Sequence, residues 1–586
     1  MTPREAPVED GWAARGAVAL LGAGVLACVL LVWPLPPLEP LDFLQAKSAV
    51  WLAAASLASA CWLVGRRACA LDGAAAALAL AVVLGLVATL TVAENRSLAW
   101  SSWGLSTGAA LGFGVTRALP ERARGRLLLV VLAAVLVAAG VAILEAFRLT
   151  PHLSTAHRVP GGTLGNRNHL SHLLVLTLPS IALLGVTGRR WVRALALLGA
   201  LSAGYLIVLA RSRGAWLGAA LVIALWTALV ASRLRHGAPR STGRRATALV
   251  LALLLGAAAA VALPNRLRWR SAHPYRETLS SLVDSRSGSG RGRMIQYRTS
   301  LALASESLLL GVGPGNWSVQ YPRVAAPGDP SVNASGLEPV NRVPSSDALA
   351  ILCERGVIVL VLLLAVAVQL LARARRALWR RTSLDEALAL GAGGVTLLAL
   401  GWLGVIDAVL VTPAAACVAS VVLGALVPRP TAPPHPIAAQ AGDAASAVAS
   451  APCRAACVAR TCAAVALAVL GLLGASREAA LLVVRHQART AARPEDVEAR
   501  VVRYAGADYP ARMTLAMRWA FAGECDKAAT HLDAAARLLP AATAPARLAA
   551  SCAARRPRAA TGSRQAEPSR SPRSADRRGE PPRAPR

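Results

Sequence analysis

Twelve apolar blocks of roughly 17 to 22 residues recur along this chain, and a helix of that length crosses the ~30 Å hydrocarbon core of a bilayer. They read Ala17–Trp33, Ser48–Val64, Gly73–Val92, Leu98–Val115, Leu127–Phe147, Leu170–Val186, Trp191–Ala210, Ala215–Ala231, Ala246–Leu263, Leu349–Leu371, Ala387–Leu403 and Val405–Val427. A weaker thirteenth lies at about Thr461–Ala475. In lipid, backbone groups must pair within the segment, which points to helices. The expected fold class is therefore all-α and polytopic, with 12–13 transmembrane helices, one large loop and a small helical C-terminal domain. A hydrophobic fraction of 55% and a mean hydropathy of +0.49 exclude an ordinary soluble domain. The first block lacks a small-residue cleavage site and is followed by Pro34-Leu35-Pro36-Pro37, so it is expected to be retained.

Arginines sort the loops into two faces. One face carries Arg66 and Arg67; Arg117, Arg122, Arg124 and Arg126; Arg189, Arg190 and Arg193; Arg233, Arg235, Arg240, Arg244 and Arg245; and Arg373, Arg375, Arg376, Arg380 and Arg381. The opposite short loops hold only Lys47, Arg96, Arg148, Arg158, Arg167, Arg211 and Arg213. The first face is expected to be cytoplasmic, with the N-terminus inside and the long loop after the ninth block outside. The net charge of +32 does not point to nucleic acid, because it is concentrated at these membrane flanks and in an Arg/Pro/Ser-rich tail, and only Lys47 and Lys527 are lysines. Cys453, Cys457 and Cys462 have no ligand-like spacing with His, and neither metal nor cofactor is expected.

The expected domains are a polytopic unit over 1–427 with its outer loop at 265–346, a Pro/Ala-rich cytoplasmic linker at 428–460, the extra span at 461–475, a helical region at 493–554 and a disordered basic tail at 555–586. Within the helical region, Ala516, Trp519, Gly523, Ala528, Leu532, Ala535 and Pro540 fall at the spacing of one tetratricopeptide repeat. An ordinary Ala-rich helical hairpin reads the same way. One repeat cannot bury its own face, so neighbouring helices at Arg493–Tyr504 and Ala544–Cys552 must stack on it. Cys525 and Cys552 then approach each other, and a disulfide is permitted if this domain lies outside.

Asn265–Ser346 inserts some eighty polar, Arg-dotted residues between two apolar blocks. Its features are Ser285-Arg286-Ser287-Gly288-Ser289-Gly290-Arg291-Gly292-Arg293, a helix from about Met294 carrying Tyr297, the turn Gly311-Val312-Gly313-Pro314-Gly315-Asn316, and Pro344-Ser345-Ser346-Asp347 at the start of the tenth block. On the same outer face, Gly161-Gly162-Thr163-Leu164-Gly165-Asn166-Arg167-Asn168-His169 opens the sixth block. Its glycines allow close backbone approach, and Asn166, Asn168 and His169 supply donors where anions are favoured. Arg211 and Arg213 occupy the short turn between the seventh and eighth blocks, although burying an arginine in lipid costs about 2.5 to 3.5 kcal/mol. Arginine grips phosphate bidentately, so the whole suits a lipid-linked phosphate; snorkelling arginines and helix-capping loops are the plainer alternative.

These motifs resemble the O-antigen ligase and O-antigen polymerase group of bacterial envelope glycosyltransferases. The resemblance rests on Gly165–Asn168, Ser212–Gly214, Arg293–Tyr297, Gly311–Asn316, and Ser346-Asp347 followed by Glu354-Arg355-Gly356. It implies a metal-independent inner-membrane transferase, active on its periplasmic face. Such an enzyme moves a glycan from an undecaprenyl diphosphate carrier to an acceptor hydroxyl on lipid A-core, a growing glycan or a protein. A periplasmic protein partner for the tetratricopeptide-like region is a further expectation. The family's two diphosphate-holding arginines fall on Arg213 and Arg293, with Arg211 and Arg291 beside them. Gly313, Gly315 and Asn316, with Asn166 and Asn168, are expected to position substrate.

The family's acceptor-activating His falls on Ser345, which cannot take up a proton near pH 7. Asp347, His169 or His172 is then the expected base, or the reaction depends on leaving-group departure. The alternative is a non-catalytic membrane component or transporter in envelope polysaccharide assembly. Asp347 also suits an N-cap of the tenth block, and Glu354 a partner for Arg355. Glu145 and Asp407 stand out only as rare acids in apolar runs.

Overall fold

The structure is a computed structural model that describes residues 11–32, 40–65, 72–150, 158–282, 288–333, 338–340, 342–379, 383–429 and 454–555. The membrane part begins with α1 (Trp12–Leu30), α2 (Pro40–Gly65), α3 (Gly73–Thr91), α4 (Arg96–Ala118) and α5 (Glu121–Ala146), and continues with α6 (Arg167–Thr187), α7 (Arg190–Ala210), α8 (Arg213–Arg235) and α9 (Arg240–Ala262). Next come three loop helices, α10 (Pro274–Ser280), α11 (Gly288–Glu306) and α12 (Trp317–Val324), then α13 (Asp347–Trp379), α14 (Leu384–Ile406) and α15 (Pro413–Leu426). Finally α16 (Arg454–Thr490) leads into α17 (Glu495–Tyr504), α18 (Tyr509–Phe521), α19 (Cys525–Leu538) and α20 (Ala544–Arg555). The chain is an all-α polytopic membrane protein. Eleven of the described helices are long and apolar enough to cross a bilayer; α4, rich in Ser and Thr, and the 14-residue α15 are not among them.

Three boundaries differ from the sequence expectation. The thirteenth block is no marginal 15-residue segment but part of a 37-residue helix, because its arginines find partners instead of ending it. Arg477 donates to Ser97 Oγ at 2.8 Å, and Arg485 donates to Gln45 Oε1 at 2.6 Å and pairs with the Asp508 carboxylate. Lys47, expected in an outer loop, lies inside α2, fully buried, donating to the carbonyls of Val29 and Thr163 at 3.0 and 2.8 Å. Between α14 and α15 the helix breaks at Asp407, which has extended backbone angles and therefore sits in a turn rather than in an apolar helix.

Small residues bring the helices close together, as lipid-embedded bundles require. At the α7–α9 crossing, a Cβ placed on Gly204 would lie 1.9 Å from the Leu253 carbonyl, and one on Gly256 would lie 2.0 Å from that of Leu201. The two backbones therefore meet with nothing between them.

The loop between α9 and α13 is a folded unit. Leu303, Ala304, Val312, Trp317 and Tyr321 bury themselves with Cys353 of α13, and the Tyr321 hydroxyl donates to Asp329 at 2.7 Å. Val319 of α12 packs with Leu539 and Ala542, while the Tyr509 hydroxyl donates to Glu338 at 2.6 Å. The helices after α16 therefore sit on the same face as the loop. There α18 and α19 form a hairpin that buries Ala516, Trp519, Ala528, Leu532 and Ala535, with Gly523 at φ 83° in the turn, and Cys525 and Cys552 are disulfide-bonded. The linker at 430–453, the tail at 556–586, Arg66, Arg67, Arg380, Arg381 and Ser285-Arg286-Ser287 lie outside the described residues.

Candidate functional site

On the loop face, the ends of α6, α8, α13 and α14 come together under α11. The start of α8 lies against the end of α14, since Trp402 Nε1 donates to the Gly214 carbonyl at 3.2 Å and a Cβ on Gly214 would meet Ile406 at 3.2 Å. Residues Arg213 and Asp407 flank that contact. The long loop folds back over it through Tyr297, whose hydroxyl is shared between the carbonyls of Ser345 and Val405 at 2.9 and 2.7 Å. Burial pushes this phenol above its ordinary pKa, which keeps it protonated and donating.

One helical turn before Tyr297, Arg293 is set above the break between α14 and α15. Its Nη2 lies 3.8 Å from Asp407 Oδ2. On the other side, His172 Nε2 of α6 lies 3.9 Å from the same oxygen. Asp407 Oδ1 accepts from the Ala408 N–H at 3.0 Å, and the Asp407 side chain is 24% exposed, whereas that of His172 is 3% exposed. A carboxylate at a helix break thus lies between a guanidinium and an imidazole, with its outer edge open. His169, one turn before His172 on α6, lines a separate small cavity with Lys47, Leu164 and Thr412.

Arg213 Nη1 donates to the Ser281 carbonyl at 2.6 Å, tying the start of α8 to the loop. Arg211 is committed elsewhere: it donates to Thr278 Oγ1 at 2.8 Å and to Glu277 at 3.0 Å, and its guanidinium lies over Trp269, which also carries Arg167. Arg291 is exposed on α11. The Ser345 N–H donates to Gln296 Oε1 at 2.6 Å.

Asp347 is 5% exposed, and its Oδ1 accepts from the N–H groups of Val409 and Leu410, both at 2.8 Å. Its carboxylate therefore caps the turn after Asp407 rather than its own helix. The N-terminus of α6 is capped by Asn166, which accepts from the Asn168 N–H at 2.9 Å. Glu145 accepts from the N–H groups of Gly161 and Gly162 at 2.8 and 2.7 Å.

The glycine turn of the loop is a buried joint. Asn316 is fully buried; its Oδ1 accepts from the Asn95 N–H at 2.7 Å, and its Nδ2 donates to the Asn95 carbonyl at 3.2 Å. Gly313 and Gly315 have φ of 93° and 70°, and a Cβ on either would strike the backbone of Ala93 or Leu98. The Gly315 N–H donates to Glu354 Oε2 at 2.8 Å, so Glu354 serves this joint, while Arg355 donates to Ser102. These residues hold the loop on the turn between α3 and α4. Among the described residues no group of three His, Cys, Asp or Glu side chains could hold a metal ion.

A helical membrane frame with a folded, arginine-bearing loop over one face defines a class, the multi-pass membrane proteins. Residues 196–364 match the O-antigen ligase family, a likeness that supports a membrane glycosyltransferase-like role in polysaccharide assembly. No curated protein matches the chain. The matched stretch runs from α7 into α13 and takes in Arg211, Arg213, Arg293, Tyr297, Ser345 and Asp347. His172 and Asp407 lie outside it. Sequence reading missed their pairing; the one signal was the rarity of an acid at Asp407.

Proposed function

We propose that the chain is an inner-membrane glycosyltransferase that moves a glycan from an undecaprenyl diphosphate carrier to an acceptor hydroxyl at the periplasmic face. The observation that carries this reading is Arg293, held by the Tyr297 bridge over the mouth where α8 meets α14, with Arg213 at the first position of α8. Two guanidiniums brought from a loop and a helix end suit a diphosphate, whose leaving-group charge is the chief thing such a reaction must stabilise. The arginine-rich short loops lie on the opposite face, which supports a periplasmic site. The disulfide supports the same placement for α17–α20, where a tetratricopeptide-like unit would meet a protein partner.

Ser345 in the position of the family's base favours a second reading, a non-catalytic component or transporter in envelope polysaccharide assembly. Envelope glycan profiles separate the two. Arg293→Lys and Arg213→Lys keep the charge but lose the bidentate fork, so each should abolish the glycan product at matched protein levels, whereas exposed Arg291→Lys should not. Equal tolerance at all three positions would leave the transferase reading without its support.

A further inference from the structure

We propose that Asp407 is the catalytic residue that takes the acceptor proton, with His172 as a positioning residue behind it. This rests on the transferase reading above. The acceptor hydroxyl needs a group that can bind a proton, that reaches the open face, and that stands next to the residue gripping the leaving group. Among the described residues of this mouth, the others each fail one requirement. Ser345 has no proton affinity near neutrality and uses its backbone to hold Gln296 and Tyr297. Asp347 is turned inward onto the Val409 and Leu410 N–H groups. His172 is buried behind Asp407. His169 faces the small cavity around Lys47. The Tyr297 phenol holds its proton and spends it on two carbonyls.

Asp407 meets all three requirements. Oδ1 is held by the following N–H group, which fixes the carboxylate in the turn, and Oδ2 points to the gap between His172 and Arg293. At 3.8 and 3.9 Å neither cation-capable group makes a close hydrogen bond to it. Oδ2 therefore keeps a lone pair for an incoming hydroxyl, and the side chain is open to the loop face. Its neighbour Arg293 would grip diphosphate, which places base and leaving group on either side of one guanidinium.

The step balances without an added reagent. The acceptor oxygen forms the new bond to the anomeric carbon as its proton passes to Asp407 Oδ2. The bond between the anomeric carbon and the carrier phosphate oxygen breaks, and its electron pair leaves on the diphosphate, held by Arg293 and Arg213. The proton then departs to solvent through the exposed edge of Asp407. His172 limits where Oδ2 can turn and does not touch substrate.

The test uses the full chain, purified and reconstituted into vesicles of bacterial phospholipid. Binding is read with farnesyl diphosphate as probe, and transfer with polyprenyl diphosphate-linked glycan and acceptor membranes from cells lacking the chain. Asp407→Asn should cut transfer by about 10²- to 10⁴-fold, the usual weight of general-base assistance, and leave farnesyl diphosphate binding at or above that of wild type. Asp407→Glu should recover part of the rate. His172→Gln should lower kcat with KM for the acceptor unchanged, and by less than Asp407→Asn does. Arg293→Lys should instead lose probe binding.

Transfer by Asp407→Asn at the wild-type rate, with Asp407→Glu no different, would overturn the assignment of the base while leaving the transferase reading intact. A wild-type protein that neither binds the probe nor transfers glycan would end that reading, and this proposal with it. Loss of probe binding in Asp407→Asn would make the residue part of the diphosphate site and refute its role as base.

Discussion

Replacing Gly356 by alanine should destabilise the membrane domain far more than its conservative chemistry suggests. Gly356 interrupts α13 with φ 79° and ψ 174°, a combination that only glycine adopts at low cost. Forcing alanine into it costs about 1–3 kcal/mol. The added methyl meets a second obstacle, since its Cβ would lie 1.9 Å from the Leu309 carbonyl oxygen and 2.7 Å from the Leu310 nitrogen. Those atoms are backbone and cannot swing away like a side chain. The neighbouring Val357 N–H already donates to the Leu308 carbonyl at 2.8 Å, which pins the loop where the methyl must go. Overpacking of this kind costs a further ~1–3 kcal/mol, so the expected loss is about 2–6 kcal/mol. Thermal unfolding of detergent-purified protein, followed by the fraction remaining monodisperse, reads this directly. Gly401→Ala is the control, because a Cβ there meets nothing within 4 Å. If Gly356→Ala melts with Gly401→Ala and wild type, the kink is not held by close backbone approach and the reasoning fails.

Asp347→Ala strands the buried N–H group of Val409 and the half-buried one of Leu410 and should cost about 1–3 kcal/mol for the first and less for the second; a variant that loses transfer yet melts like wild type would contradict a structural role. Cys525→Ser should lower the stability of α17–α20 by about 3–4 kcal/mol, from the 27-residue separation that the disulfide closes, and should expose Cys552 to maleimide, which intact protein must not label there. His531 is buried between Glu498 and Arg512, and burial lowers its pKa below the ordinary 6.5. The unfolded chain then binds the proton more readily, so this contribution is full above about pH 6.5 and is lost as pH falls from there toward the folded-state pKa. Proteolysis of the C-terminal helices should accelerate on acidification, and an equal acceleration in His531→Gln would remove His531 as the cause.

Much of the fold was legible because the bilayer reduces it to a rule of length and hydropathy. Each apolar block became a helix, the turn at Arg211–Arg213 lies where the block ends put it, and the approach of Cys525 to Cys552 followed from stacking helices around one hairpin. The loop stands apart in the sequence by its polarity and arginines, which suggest a substrate surface for its glycines, while Gly313, Gly315 and Asn316 form a buried joint with Asn95 and Leu98. No local pattern encodes that partner more than two hundred residues away.

The site divides in the same way. The family resemblance singled out Arg213 and Arg293 as groups able to hold phosphate, and composition alone marked Asp407 as out of place among apolar neighbours. Only the tertiary structure decided that Asp347 faces inward, that α14 ends at Ile406, and that Asp407 therefore stands in a turn between His172 and Arg293. The reason is geometric. Hydropathy reports how strongly a segment prefers lipid, a property of each segment separately. Which two charges meet at a helix end depends on where three helices and a loop, distant in sequence, happen to stop.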